Sequence, residues 1–170
     1  HDVDIVPTFM GAHAVPQEYI EDRDAYVDLV CDKMIPEVAA RGLAAYCDVF
    51  CEKGAFTNKE TERILEKAKA FGLGGKVNAD EINDTGAAGL AAKLGAVTAE
   101  HLIQAGEPGL ISMAEAGTIA VLLPCPSASY THLRAQETVL AIVCRLSLEI
   151  THLFQTAPNC LYTKFTPRPD

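Results

Sequence analysis

Apolar residues come in short runs, separated by longer stretches in which they recur every third or fourth position. Asp4 to Met10 (DIVPTFM) reads as a strand, irregular or at an edge in its first half because Pro7 has no N–H to give a ladder. Arg23 to Arg41 predicts a helix, with Tyr26, Val27, Val30, Met34 and Val38 at helical spacing. Pro36 should kink it or start a second short helix, and Gly42 closes it. Tyr46 to Cys51 (YCDVFC) is the second strand; Thr57 or Asn58 then caps a helix running to Phe71, ended by Gly72. The apolar stripe of that helix is Ile64, Leu65, Ala68 and Phe71. Lys76 to Ala79 is a third strand, and Gly86 to Leu94 (GAAGLAAKL) a small-residue helix suited to close packing. Val97 to Ile103 is a fourth strand and Pro108 to Ala116 a short helix stopped by Gly117. Thr118 to Leu123 (TIAVLL) is the fifth strand and the clearest one.

Strand followed by helix, five times over, is the pattern of a parallel α/β architecture. No G-x-G-x-x-G loop opens a helix, so a (β/α) barrel is favoured over a doubly wound dinucleotide fold. A whole barrel of eight units takes about 250 residues. The expectation is therefore part of a TIM-type barrel over residues 1–124, about five βα units. After Pro124 the alternation stops, and residues 125–170 read as an unrelated or artefactual tail. Thr138 to Ile150 has the spacing of one amphipathic helix, and SYTHLRAQETV resembles translated adapter or vector sequence. The chain starts at His1 inside a strand approach, so its true N-terminus is expected further upstream.

The 170 residues carry 49% hydrophobic and 22% charged residues, the balance of a soluble globular protein. A net charge of −9 argues against nucleic-acid or anionic-membrane partners. The longest apolar runs are far too short to span a bilayer, and no secretory leader is legible. The six cysteines lack the small, loop-rich setting of a disulfide framework. Cys47 and Cys51 have a spacing that zinc sites use, but no second pair follows, so the expectation is reduced, mostly buried cysteine in a cytoplasmic protein.

In a barrel, chemistry sits where strands end. Those positions hold His13 (MGAHAVP), Glu52 and Lys53 (FCEKGAF), Asn78, Asp80 and Glu81 (NADE), and His101 (AEHLI), with the fifth strand ending at Pro124. Two histidines and two or three carboxylates on one rim suit metal-assisted hydrolysis or general acid–base work. Each also has a plainer reading. His13 can be a loop histidine, His101 a hydrogen-bonded core residue, Asp80 and Glu81 an acidic helix start, and Glu52 with Lys53 an ion pair or strut. Their weight comes from standing together.

The segments TFMGAHAVPQEY, AYVDLVCDKMIPEVA, DVFCEKGAFT, KVNADEI, LAAKLGAVTAEHLIQA and MAEAGTIAVLLP resemble consecutive blocks of imidazolonepropionase, an amidohydrolase of histidine degradation. The resemblance covers residues 3–124, and MGAHAVP, DVFCEKGAF and AEHLI in that order are together specific. It implies a metal-bearing (β/α)8 barrel with an additional small β-domain, zinc or iron as cofactor, and hydrolysis of 4-imidazolone-5-propanoate to N-formimidoyl-L-glutamate. By the same resemblance His13 and Glu81 contact the substrate, while His101 and Glu81 are catalytic, taking a proton from the metal-bound water and passing it to the departing ring nitrogen.

The departures have equal weight. The family has a metal-ligating histidine where this chain has Asn78, and an amide oxygen is a much poorer ligand for zinc or ferrous ion. The paired H-x-H ligands belong upstream of His1, and the aspartate ligand belongs where the tail stands. The expectation is a fragment that binds no catalytic metal, shows no ring-opening activity and aggregates readily, its open sheet edges lacking partners. The expected partner is a small-molecule substrate, with a homodimer in the full-length family. Two further readings stand beside this: a non-catalytic small-ligand-binding relative, and an amidohydrolase acting on a different cyclic amide.

Overall fold

The structure is a computed structural model and describes residues 5–122. The expected tail at residues 125–170, with its helix at Thr138 to Ile150, lies outside the described residues, as does the boundary between the two parts. Five strands alternate with helices: β1 (Thr8–Ala12), β2 (Tyr46–Cys51), β3 (Gly74–Ala79), β4 (Thr98–His101) and β5 (Ile119–Val121). They form one parallel sheet in the order β1-β2-β3-β4-β5. Strand order that never reverses is the arrangement of a barrel wall, since a doubly wound sheet turns back on itself at its switch point. The chain is a partial α/β barrel, as its alternation predicts.

Register places the side chains. Cys47, Val49, Cys51, Val77, Ala79 and Ala99 are all fully buried on one face and share a single core with Val27, Val30, Ile64, Leu65, Ala68 and Ala88 from the helices. The opposite face carries Tyr46, Asp48 and Phe50 on β2, then Lys76 and Asn78 on β3, then Thr98 and Glu100 on β4, in register across the strands. Period-2 alternation thus separates an apolar, helix-covered side from a polar and aromatic side that a closed barrel would enclose.

The helices form for local reasons. The first runs as α1 (Arg23–Leu29), a π-helical turn (Val30–Met34) and α2 (Ile35–Ala40), with Asp22 accepting from Ala25 N–H at its start. Pro36 does not break it. Having no N–H for the carbonyl four residues back, it follows a turn already widened, in which Ile35 N–H bonds Val30 C=O. α3 (Asn58–Ala70) opens with a capping box: Thr57 Oγ1 accepts from Glu60 N–H at 3.3 Å, and Glu60 Oε2 accepts from Thr57 N–H at 2.7 Å. α4 (Ala87–Leu94) buries Ala87, Ala88, Ala91 and Ala92, and α5 (Glu107–Ala116) packs beside it.

Several boundaries differ from the sequence pattern. β1 begins at Thr8 rather than Asp4; Pro7 lies before it and uses its carbonyl to accept from Ala45 N–H. Phe71 is not part of the inward stripe of α3: it falls on the helix C-cap and is 43% exposed, while Thr61 is buried in the stripe. β4 stops at His101 instead of Ile103, because His101 (φ 71°) and Leu102 (φ 57°) both turn left-handed and a strand cannot continue through them. The fifth strand, the plainest in sequence, is only three residues long and leaves Ile119 57% exposed. Apolar composition identified it as a strand, but burial depends on a neighbour, and β4 is its one strand partner among the described residues.

Candidate active site

Among the described residues, His13, Glu52, Lys53, Asp80, Glu81 and His101 lie at or just past the C-terminal end of a strand and Asn78 one residue before it; apart from Lys53 they fall into two groups. Glu52 and Asp80 hold the loops. Glu52, 3% exposed, accepts from Lys53 N–H, Ile82 N–H, Asn83 N–H and Asn83 Nδ2, tying the turn after β2 to the turn after β3. Burial works to raise its carboxyl, but those hydrogen bonds outweigh it and hold the group below the usual glutamate value. Asp80 is fully buried and accepts from Thr85 N–H, Thr85 Oγ1–H, Ala87 N–H and Ala88 N–H, so its charge satisfies the start of α4. The strut reading of Glu52 and the helix-start reading of Asp80 are the ones this geometry supports.

The second group forms a connected line. His13 Nε2 lies 3.3 Å from Asp48 Oδ2. Asn78 Nδ2 donates to both Asp48 oxygens, at 3.0 and 3.1 Å. Asn78 Oδ1 and His101 Nε2 are 2.8 Å apart, and His101 Nδ1 lies 3.4 Å from Glu81 Oε1. At the two outer links the distances fit an ion pair, but the alignment does not make a hydrogen bond: His13 Nε2 and His101 Nδ1 are buried without a hydrogen-bond partner. His13, Asn78, His101 and Glu81 are thus brought together, with two nitrogens still unsatisfied.

Asp48 is the member that reading strand ends cannot find, because it stands two residues inside β2. The available signal was a charged residue in the middle of an otherwise apolar strand, YCDVFC. Glu100, within β4, has the same setting on the face shared with Asn78, without that apolar surround in sequence. It is 9% exposed, accepts from Thr98 Oγ1–H, has Lys76 Nζ at 4.0 Å, and leaves Oε2 unpartnered. Burial pushes its carboxyl above the usual glutamate value, with the charge of Asp48 adding to the effect.

The left-handed conformation of Asp80, His101 and Leu102 adds backbone strain at this rim, where such strain tends to gather in functional sites. Leu102, 2% exposed, bonds its N–H to Ala79 C=O and Glu100 C=O and so anchors the strained corner. The cysteines among the described residues lie elsewhere. Cys31, Cys47 and Cys51 are buried and free, and burial raises the thiols of Cys47 and Cys51 to about 12 and about 11.

The fit of a divalent metal can be tested on the donors present. Among the described residues no group of three or more His, Cys, Asp and Glu side chains converges to hold one. At the one expected ligand position, both ends of the Asn78 amide are already engaged, with Asp48 and with His101. The donor set of the described residues does not fit the metal that the resemblance implies.

Fold and rim together define a class: a segment of a parallel (β/α) barrel wall with a histidine–carboxylate line along its C-terminal edge. No protein-family model matches the chain. Individual proteins do. The chain is 56% identical over 124 residues to the imidazolonepropionase of Alkaliphilus metalliredigens and 57% identical over 124 residues to that of Geobacillus thermodenitrificans, each match covering 73% of this chain. The imidazolonepropionase of Syntrophobacter fumaroxidans is 42% identical over 165 residues, 97% of this chain. The chain belongs to the imidazolonepropionase family over the part matched, and it spans 29% of the length of the first two relatives and 38% of the third. Among the described residues no helix is long and apolar enough to cross a membrane.

Proposed function

We propose that the protein to which this chain corresponds is a cytoplasmic, metal-dependent hydrolase that opens 4-imidazolone-5-propanoate to N-formimidoyl-L-glutamate, and that this chain supplies its substrate-contacting wall. The observation that carries the reading is the line His13, Asp48, Asn78, His101 and Glu81 along one strand-end rim, in a chain 56% identical over 124 residues to a named imidazolonepropionase. His13 and Glu81 contact the substrate, Glu81 through a hydrogen bond to its ring, and His101 moves a proton beside Glu81. The metal, zinc or iron, would supply Lewis-acid chemistry in the complete barrel. Asn78 leaves this chain without its share of the grip, so the 170 residues alone should show no ring opening above background. A small-molecule substrate and a homodimer of the longer protein complete the proposal.

The experiment is to extend the reading frame in both directions, re-read codon 78, and express the longer protein with Asn78 and with Asn78→His. Each is given zinc or ferrous iron while consumption of imidazolonepropanoate is followed. The Asn78→His form should turn over at least about 100-fold faster, since even groups that merely support a metal ligand are worth 10- to 100-fold. Turnover of another cyclic amide alone would replace this substrate. A second reading, a non-catalytic ligand-binding relative, is favoured by the engagement of Asn78 with Asp48 and His101; ligand binding with no turnover by either form would establish it.

A further inference from the structure

We infer that Asp48 is a positioning residue: acting through the Asn78 amide, it fixes the His101 ring as the Nε2–H tautomer and leaves Nδ1 as the ring's free lone pair. Asp48 is buried on the inner face of β2, and a carboxylate can only accept hydrogen bonds. The amide group of Asn78 that lies 3.0 and 3.1 Å from its two oxygens must therefore be the NH2 end. That orientation turns the amide oxygen toward His101, 2.8 Å from Nε2. A carbonyl oxygen cannot donate, so the proton of this contact sits on Nε2. A neutral imidazole has one N–H, and Nδ1 is left bare.

The assignment is not the one Glu81 alone would produce. Its Oε1 lies 3.4 Å from Nδ1, and a carboxylate there favours an Nδ1–H donor. Two carboxylates thus compete for one ring from opposite sides. Asp48 prevails because its influence arrives through an aligned 2.8 Å contact, whereas Nδ1 has no hydrogen bond to Glu81. A proton taken up by His101 then goes to Nδ1, on the Glu81 side of the rim. The inference rests on hydrogen-bond geometry and stands or falls separately from the proposed reaction.

The test reads the ring nitrogens. The 170-residue chain, labelled with nitrogen-15, is studied by long-range proton–nitrogen correlation at a pH above the histidine titration range, with His101 assigned by loss of its signals in His101→Gln. The native chain should show Nε2–H with an unprotonated Nδ1. Asp48→Leu removes the acceptor that orients the Asn78 amide, so the amide can reverse and His101 should switch to Nδ1–H through Glu81. Asn78→Leu removes the relay and should give the same switch through Glu81. An Nδ1–H ring or a doubly protonated ring in the native chain overturns the inference, as does a folded Asp48→Leu variant that keeps Nε2–H. A role for Asp48 in folding alone would not reverse a tautomer, and if both variants unfold, the native spectrum still decides.

Discussion

The Asp80 carboxylate accepts four hydrogen bonds, all from the segment that starts α4, and no part of it reaches solvent. Asp80→Ala would leave the Thr85, Ala87 and Ala88 N–H groups without their acceptor and put an alanine at φ 50°, where it lacks the local hydrogen bonding that lets Asp occupy this region. A lost N-cap costs about 1–2 kcal/mol and hydrogen bonds to a charge about 1.5–3 kcal/mol. Asp80→Ala should therefore lose at least about 2 kcal/mol in urea unfolding, and Asp80→Asn clearly less, because its oxygen and its tolerance of positive φ remain. Equal losses would show that charge, not geometry, is what the site needs. At this scale the site was half legible. His13, Asn78, Glu81 and His101 follow from strand ends, since chemistry collects where a barrel strand gives way to its loop. Asp48 and Glu100 lie within strands, and only the register across three strands reveals that they face the same interior as Asn78.

Among the elements, α4 and α5 meet through glycines. A Cβ on Gly109 would stand 3.1 Å from Ala88 Cβ and 3.2 Å from Gly89 N, with backbone on one side that cannot swing away. A Cβ on Gly89 would meet only Gly109 Cα, at an ordinary 3.8 Å. Replacing an interior helical glycine by alanine gains about 1 kcal/mol of propensity, while overpacking costs about 1–3 kcal/mol. Gly109→Ala should thus lose roughly 1 kcal/mol overall and Gly89→Ala should gain up to about 1 kcal/mol; thermal melts that rank the two the other way would refute this packing. The small-residue pattern GAAGLAAKL already announced such a contact, and β2 and the cap of α3 fell where periodicity and Thr57 place them. What periodicity missed were backbone events. The π-helical turn before Pro36 and the left-handed pair at His101 and Leu102 leave no mark in hydrophobic spacing, because they are settled by which carbonyls and N–H groups can pair in three dimensions.

For the described sheet as a whole, β1 and β5 are its two edges, and each has one strand partner. β5 is the more exposed of the two: Ile119 and Ala120 face solvent, and Ile111 on the preceding helix is 52% exposed. An apolar strand with a free row of N–H and C=O groups is a template for another chain, and natural edges are protected by charge, above all by lysine. β5 has no charged residue among Ile119, Ala120 and Val121. Self-association through this edge should therefore grow with protein concentration. Ile119→Lys adds a charge to the inner face of the edge at a cost to the folded chain of no more than about 1 kcal/mol, the span of strand propensities. In sedimentation velocity over a series of concentrations, the native chain should shift to larger species and Ile119→Lys should remain monomeric further up the series, with unchanged circular dichroism. The same substitution at Ile20, exposed but outside the sheet, separates an edge effect from a general gain in solubility. If Ile20→Lys suppresses association as well as Ile119→Lys does, apolar surface in general drives it, and the open edge of β5 is not its cause.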